Sequence, residues 1–452
     1  MAGGTLYNAD AADTWFTGVA IDSRTVRPGE LFVAVRGEKH DGHDYIRQAI
    51  ERGAVGVLSD VSYPSLDEIS RQAAVVTVKD THEAMMILAE KYRETCPARF
   101  IGITGSNGKT TTKELAYQLI HAVEPHVYRS PGNFNNLFGM PLALFAMPPE
   151  TRVAVMEMGI SLPGEMTRLT RIVKPDIIAV TNVGPSHLQF LTSVEGVARA
   201  KLEMVTASRP DVPVIVNADS PVLMNEARKI RDDLITFGVE HDATFRPERV
   251  ESDARGGKVV SINGCRFRLA LFGRHQIYNL LAAFAIFKTL GYDCRALDTE
   301  TILLESAPMR GEELVSRDIT IIADCYNANP DSVRSALESF EQRSFDGRRV
   351  LILGDMLELG ENEAQYHRDI GRQVAAMHSD LLILIGPRSE YIEQQAVHDG
   401  VAKARILHFD NAEKCASVIT DLLRPGDLVL IKGSRGIGLE RVIDAWKAGG
   451  TD

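Results

Sequence analysis

FIGITGSNGKTTTKEL, Phe100 to Leu115, is the stretch on which the reading of the whole chain turns. The apolar residues Phe100, Ile101 and Ile103 give way to glycines, then to Lys109 and a run of threonines, then to good helix formers. That order predicts strand, loop and helix. Gly105 and Gly108 allow positive φ and a close backbone approach, so the amides from Gly105 through Ser106 and Asn107 to Gly108 can converge on a phosphate chain. The helix beginning near Lys109 adds the positive end of its dipole. Lys109 places a point charge between the outer phosphates, and the hydroxyl of Thr110, with Thr111 beside it, offers a ligand for magnesium. The strict pattern G-x-x-x-x-G-K-[ST] is missed by one position, because residue 103 is isoleucine and the nearest glycines are Gly102 and Gly105. A glycine-rich turn with a solvated lysine is the competing reading; the apolar strand before the loop favours a nucleoside-triphosphate cradle.

The totals set the frame around this loop. A chain of 452 residues suggests about three domains, and 44% apolar residues are ample for several cores. With 50 Lys+Arg against 61 Asp+Glu the net charge is -11, which argues against bulk binding of nucleic acid or of an anionic membrane surface. Any phosphate site is therefore local. Cys96, Cys265, Cys294, Cys325 and Cys415 are scattered without a C-x-x-C pair, which indicates neither a disulfide framework nor a zinc knuckle and suits a reducing cytoplasm. MAGGTLYNAD has no basic segment leading into an apolar one, and no run of about 18 apolar residues occurs, so neither export nor a membrane span is expected.

Taken in order, the chain divides into three α/β units, 1–97, 98–310 and 311–452. In the first, short β-like runs (Gly18 to Ile21, Glu30 to Val35, Val55 to Leu58, Ala74 to Val78) alternate with helical stretches around Tyr45 to Arg52 and Thr81 to Tyr92. Ser23, Arg24 and Arg36 punctuate it; hydroxyl and guanidinium groups suit a diphosphate or a uracil edge, although turn formers and surface charges read the same way. The second unit holds the phosphate loop and further strands ending in polar residues, Arg152 to Met156 before Glu157, and Asp176 to Thr181 before Asn182. In an open parallel sheet the ligand lies beyond the carboxyl ends of the strands, so Glu157, Asn182 and His187 are expected near the phosphates. His275 and Asn279 precede an apolar helix over Leu280 to Leu290 and share one helical face, suited to a base edge or to simple capping. The third unit alternates strands (Thr320 to Ala323, Arg349 to Leu353, Leu381 to Ile385, Ala404 to Phe409, Leu428 to Ile431) with helices such as Ser332 to Glu341 and Glu363 to Met377, a Rossmann-like sheet without a G-x-G-x-x-G fingerprint.

TGSNGKTTTKE (Thr104 to Glu114), PGNFNNLFGMP (Pro131 to Pro141), EMG (Glu157 to Gly159), TNVGPSHL (Thr181 to Leu188), ARAKLEM (Ala198 to Met204), YNANPDS (Tyr326 to Ser332) and LGDMLELG (Leu353 to Gly360) together resemble the Mur ligase family. The shifted first glycine matches that family's T-G-x-N-G-K-T pattern. The resemblance covers all three units and implies a small N-terminal uridine-nucleotide domain, a central P-loop ATPase-type sheet and a C-terminal Rossmann-like acceptor domain. It implies an ATP- and Mg2+-dependent amide ligase of cytoplasmic peptidoglycan precursor synthesis. The carboxylate of a UDP-N-acetylmuramoyl-tripeptide attacks the γ-phosphate, and the amine of D-alanyl-D-alanine displaces phosphate from the acyl phosphate. YNANPDS, with no arginine-bearing D-N-P-R motif, resembles the branch that takes the dipeptide; Ala323 and Cys325 stand where many relatives have aspartate and serine.

The same resemblance distributes roles. Thr110 and Glu157 hold magnesium, His187 helps with a second ion, and Lys201 is carbamylated by CO2 beside it; Lys109, His187 and Lys201 form the catalytic group. Read from its helix alone, Lys201 is a solvated surface lysine. His275 and Asn279 are implied at the adenine end, Arg310 and Asp324 at the ribose and phosphate face, Ser23, Arg24 and Arg36 on the UDP portion, and Tyr326, Asn327 and Asn329 on the acceptor. A monomer acting on small molecules is expected, with no nucleic acid and no membrane insertion. Two rivals stay open: another ligase of the same fold, such as a folylpolyglutamate synthetase, and a nucleotide-dependent switch. The phosphate-loop reading predicts that Lys109→Ala leaves the fold intact and removes about 3 kcal/mol or more of transition-state stabilisation, measured as ADP release by the folded variant.

Overall fold

The computed structural model of the chain describes residues 3–8, 11–37, 40–252, 258–270, 272–294, 301–305 and 307–449. Three α/β sheets and one smaller, mostly antiparallel sheet carry the fold. The first sheet runs, in space, Thr5–Leu6, Ala74–Val78, Gly56–Asp60, Leu31–Val33, Val19–Ala20. All its pairs are parallel except the edge strand Thr5–Leu6, which lies antiparallel to Ala74–Val78. Of the four strands expected here, Ala74–Val78 forms with the expected bounds, Gly56–Asp60 is shifted and one residue longer, and the other two are shorter; the edge strand was not expected.

The second sheet is wholly parallel, in the order Ile235–Phe237, Val214–Asn217, Ile177–Val180, Arg99–Thr104, Val153–Glu157, Val127–Arg129. Its central strands are buried on both faces, which is why they read as continuous apolar runs. From Arg99–Thr104 the chain first fills one side, edge strand before inner strand, and then, from Ile177, builds outward on the other. The phosphate loop therefore leaves the sheet at its topological switch point, where such sheets open a crevice.

Helix His275–Thr289 crosses this sheet and is buried almost all round, from Gln276 to Phe287 with few breaks. It begins five residues earlier than the apolar run suggested, so His275 and Asn279 are helical residues. Behind it lies the small sheet, Arg249–Ser252, Lys258–Ile262, Cys265–Ala270 and Ile302–Glu305, which the sequence reading did not foresee. Cys265 and Cys294 are paired there as a disulfide, Cα atoms 6.3 Å apart, which corrects the expectation of unpaired cysteines. The packing of helix against sheet brings them together, and no local spacing announces that.

The last sheet runs Glu312–Ser316, Ile319–Ala323, Asp427–Lys432, Arg348–Gly354, Leu381–Ile385, Ile406–Phe409. It is parallel apart from the first strand, an unforeseen hairpin partner of Ile319–Ala323. Several helix starts follow local chemistry. Asp80 accepts from the amide of Glu83 at 2.9 Å, Ser193 from that of Gly196 at 3.1 Å, and Asn329 with Ser332 makes a capping box ahead of Pro330–Gln342.

Phe284 fixes the buried helix to the small sheet, its ring 5.8 Å from that of Phe245 and 5.5 Å from that of Phe267. Phe284→Ala removes this filling and lowers stability by about 3–5 kcal/mol, read as a lower denaturant midpoint at unchanged slope.

Candidate active site

The loop between strand Arg99–Thr104 and helix Lys109–His121 fits because two positions lack a side chain. Gly108 has φ +79, and a Cβ there would run into Oδ1 of Asn279; one on Gly105 would strike the hydroxyl of Thr181. The loop is thus pressed between the buried helix and the end of Ile177–Val180. Asn182 braces it, accepting from the amide of Asn107 at 2.8 Å. Lys109 curls back over the loop, its Nζ donating to the carbonyl of Gly105 at 2.7 Å. Burial pushes its ammonium below the ordinary lysine range; Glu157 opposes that and Arg310 reinforces it.

Glu157, at the end of Val153–Glu157, is a buried carboxylate with every partner in place. Oε2 accepts from the Thr110 hydroxyl at 2.7 Å and Oε1 from Nδ2 of Asn135 at 2.8 Å. Nζ of Lys113 stands 3.7 Å away while donating to the Ser130 carbonyl at 2.8 Å. Burial raises the Glu157 carboxyl, but Lys113, Arg310, Lys109 and the Thr110 hydroxyl outweigh it and hold the group below its ordinary value. It therefore stays ionised. No group of three or more His, Cys, Asp or Glu side chains is gathered for a metal ion among the described residues. The hydroxyl and carboxylate of Thr110 and Glu157 are hard oxygen donors, the kind that magnesium takes sparingly beside phosphates.

The phosphate loop opens into a cavity of about 670 Å3 whose far wall belongs to the last sheet. Asp324 there pairs with Nζ of Lys432 at 2.7 Å. The guanidinium of Arg310 stacks 4.0 Å from the centre of the Tyr326 ring, and that of Arg435 lies 5.5 Å from it. Asn327 turns its Oδ1 back onto the amide of Ala328 at 2.9 Å. His275 meets the Ser335 hydroxyl at 3.2 Å, and burial lowers its imidazole's pKa despite Asp324. His187, with φ +52, stands with Nδ1 2.6 Å from Oε2 of Glu358, so it faces the last sheet as well as the loop.

Lys201 contradicts the solvated-helix reading of its sequence. It lies in helix Val194–Thr206 at 2% exposure, and burial, with Lys109 adding to it, drives its ammonium well below the usual range. The three residues expected on the UDP portion stay apart from this cavity. Ser23 donates to Gln48 at 2.6 Å, Arg24 pairs with Asp22 at 2.7 Å, and Arg36 pairs with Asp60 at 2.6 Å, all within the first sheet's domain.

Comparison with known proteins bears on this arrangement. The Mur ligase family catalytic domain matches residues 16–93, the Mur ligase middle domain 103–287 and the Mur ligase glutamate ligase domain 309–435. The UDP-N-acetylmuramoyl-tripeptide--D-alanyl-D-alanine ligase of Bacillus subtilis is 36% identical over 98% of this chain and 96% of its own. The chain belongs to the Mur ligase family. The corresponding Escherichia coli ligase is 30% identical over 97% of this chain and 96% of its own. Among solved structures, MurF from Acinetobacter baumannii superposes with TM-score 0.84 at 26% identity, covering 98% of this chain and 96% of its own. MurF from Thermotoga maritima in complex with ADP gives 0.81 at 27%, covering 96% and 97%. This Mur ligase is accordingly a three-domain α/β enzyme, an ATP-dependent ligase and not a switch.

Several side chains in or behind the wall of the ligase's cavity escaped the sequence reading. Lys113, Asn135 and Glu358 sit inside blocks already singled out, and a buried partner for Glu157 could have been sought there. Asp219, in VNADS, escaped altogether. Its carboxylate accepts from the amides of Val239, Glu240 and His241 at 2.7–2.8 Å and from the Tyr278 hydroxyl at 2.9 Å. Burial alone would raise its pKa; the three amides and His241 bring it far below the ordinary aspartate value. A depressed carboxyl stabilises the fold above its unfolded value, about 3.9, and the contribution fades as pH falls through the folded one. Asp219→Ala therefore costs about 2–4 kcal/mol at pH 7, with the gap to the parent closing below pH about 4 in a urea-denaturation series.

Proposed function

We propose that this enzyme joins D-alanyl-D-alanine to UDP-N-acetylmuramoyl-tripeptide with ATP, through an acyl phosphate, in peptidoglycan precursor synthesis. The observation that carries the reading is the pairing of an ionised, buried Glu157 and Thr110 beside the phosphate loop with an acceptor-side wall from another domain. Full-length likeness to the Bacillus subtilis relative supports the substrate pair. The first step is a phosphoryl transfer, whose catalysis is mostly positioning and charge neutralisation. Lys109 and the loop amides hold the γ-phosphate, and Thr110 and Glu157 would hold magnesium, which would supply neutralisation of phosphate charge. His187 and Lys201 serve the carboxylate side. Lys201, buried with a depressed pKa, spends time as a free amine, the form that CO2 converts to a carbamate.

His275 and Asn279 serve the adenine end, Arg310 and Asp324 the ribose and phosphate face, and Tyr326 and Asn327 the dipeptide, while Ser23, Arg24 and Arg36 hold the uridine diphosphate. The domains are 1–97, 98–310 and 311–452, and the enzyme works as a cytoplasmic monomer. No helix among the described residues is long and apolar enough to cross a membrane. ADP release with the UDP-linked tripeptide should require D-alanyl-D-alanine for turnover, and turnover with glutamate or a diamino acid in its place would overturn the assignment. In the same assay Lys201→Ala is nearly inactive and regains rate with a small added carboxylic acid, which leaves the parent enzyme unchanged.

A further inference from the structure

Asn329 stands in the loop that the reading above gives to the acceptor, yet its side chain is engaged elsewhere. Its Oδ1 accepts from the Ser332 amide at 2.9 Å, capping helix Pro330–Gln342. The same oxygen accepts from Nδ2 of Asn107 at 3.3 Å, and its own Nδ2 donates to Oδ1 of Asn107 at 2.8 Å. Two carboxamides thus pair head to tail across a separation of 222 residues. Asn107 is fixed from the other side as well. Its amide donates to Asn182 at 2.8 Å and its carbonyl accepts from the Thr181 hydroxyl. Its backbone therefore belongs to the phosphate cradle and its side chain to the opposite domain.

We propose that Asn107 and Asn329 form a carboxamide clasp that sets the loop Tyr326 to Asn329 in register over the phosphate loop. Asn329 is then a positioning residue for the acceptor and not one of its contacts. The inference rests on the ligase reading of the same cavity.

Three observations support it. A carboxamide pair carries no charge, so it binds across the mouth of a phosphate site without competing for phosphate or repelling it, as a lysine or a carboxylate would. The pair leaves Asn329 one unspent N–H, too little to recognise a dipeptide's carboxylate and amine together. The surfaces beside it are cut to meet, since the Cα of Gly184 faces the Asp331 carboxylate where a Cβ would collide, and a Cβ on Gly360 would lie 3.4 Å from the Gln189 backbone. Amide formation needs the attacking nitrogen within about 3–3.5 Å of the acyl carbon, and an error of about 1 Å costs roughly a hundredfold. A clasp one residue from Gly108 and two from Asn327 fixes that distance.

The test is a double-mutant cycle on the full-length chain with Asn107→Ala, Asn329→Ser and both together. Serine is a good helix N-cap, so the second change keeps the cap and drops the clasp. Each single change should lower kcat about tenfold with KM for D-alanyl-D-alanine within about twofold of the parent, and the pair should lose no more than the worse single, because both break one interaction. With a non-hydrolysable ATP analogue, small-angle scattering should give both single variants a larger radius of gyration than the parent. Losses that multiply to about a hundredfold, or Asn329→Ser raising that KM tenfold at unchanged kcat, overturn the clasp. If the parent releases no ADP with the UDP-linked tripeptide and D-alanyl-D-alanine together, the ligase reading fails; the scattering comparison then still decides the clasp, equal radii refuting it.

Discussion

The burial of charged side chains beside the phosphate loop governs the site. Lys109 and Lys113 act on one buried carboxylate, Glu157, while Lys201 is buried beside Lys109, and taking ions out of water is costly unless each finds a partner. The chain meets that cost unevenly. Glu157 is fully satisfied by Thr110, Asn135 and Lys113, and Lys109 leans on loop carbonyls. The loop amides and Lys109, whose Nζ rests on loop carbonyls, are the donors that a polyphosphate entering the cradle would take up. Attraction of an anionic ligand is therefore local to the loop, in a molecule whose net charge is -11.

How much of this was legible in the sequence depends on how local the cause is. The phosphate loop was readable because glycine, lysine and threonine act within a few residues of one another. The central strands were readable because burial on both faces leaves a continuous apolar run. The small sheet from Arg249 to Glu305 was not, since its strands alternate with charges such as Arg249, Glu251 and Arg266 and sit among loops. Antiparallel edges of two and five residues, Thr5–Leu6 and Glu312–Ser316, were lost for want of any pattern. At the site, Glu157 and His187 were placed near the phosphates by their positions beyond strand ends and Lys201 came from a family resemblance, whereas Lys113, Asp219 and the His187 to Glu358 approach are products of tertiary packing.

The same division explains why Lys201 misleads on first reading. Its helix, Val194–Thr206, carries charge on one side, and Lys201 falls on the other, three and four residues from Ala198 and Val197 and from Met204 and Val205, a spacing that the solvated-lysine reading passed over. Only the packing of that helix against its neighbours turns an ordinary lysine into a buried amine. A functional residue here is a position in a core as much as a type of side chain.

The antiparallel strands at the edges have a practical consequence. Glu312–Ser316 covers Ile319–Ala323, and Thr5–Leu6 covers Ala74–Val78, each closing an otherwise open row of backbone donors and acceptors. Such open rows invite strands from other molecules. A C-terminal fragment cut after Ser316, or an N-terminal one begun beyond Leu6, would carry sticky edges and self-associate in the test tube. Soluble expression of the isolated domains thus hinges on two short ribbons that touch no substrate.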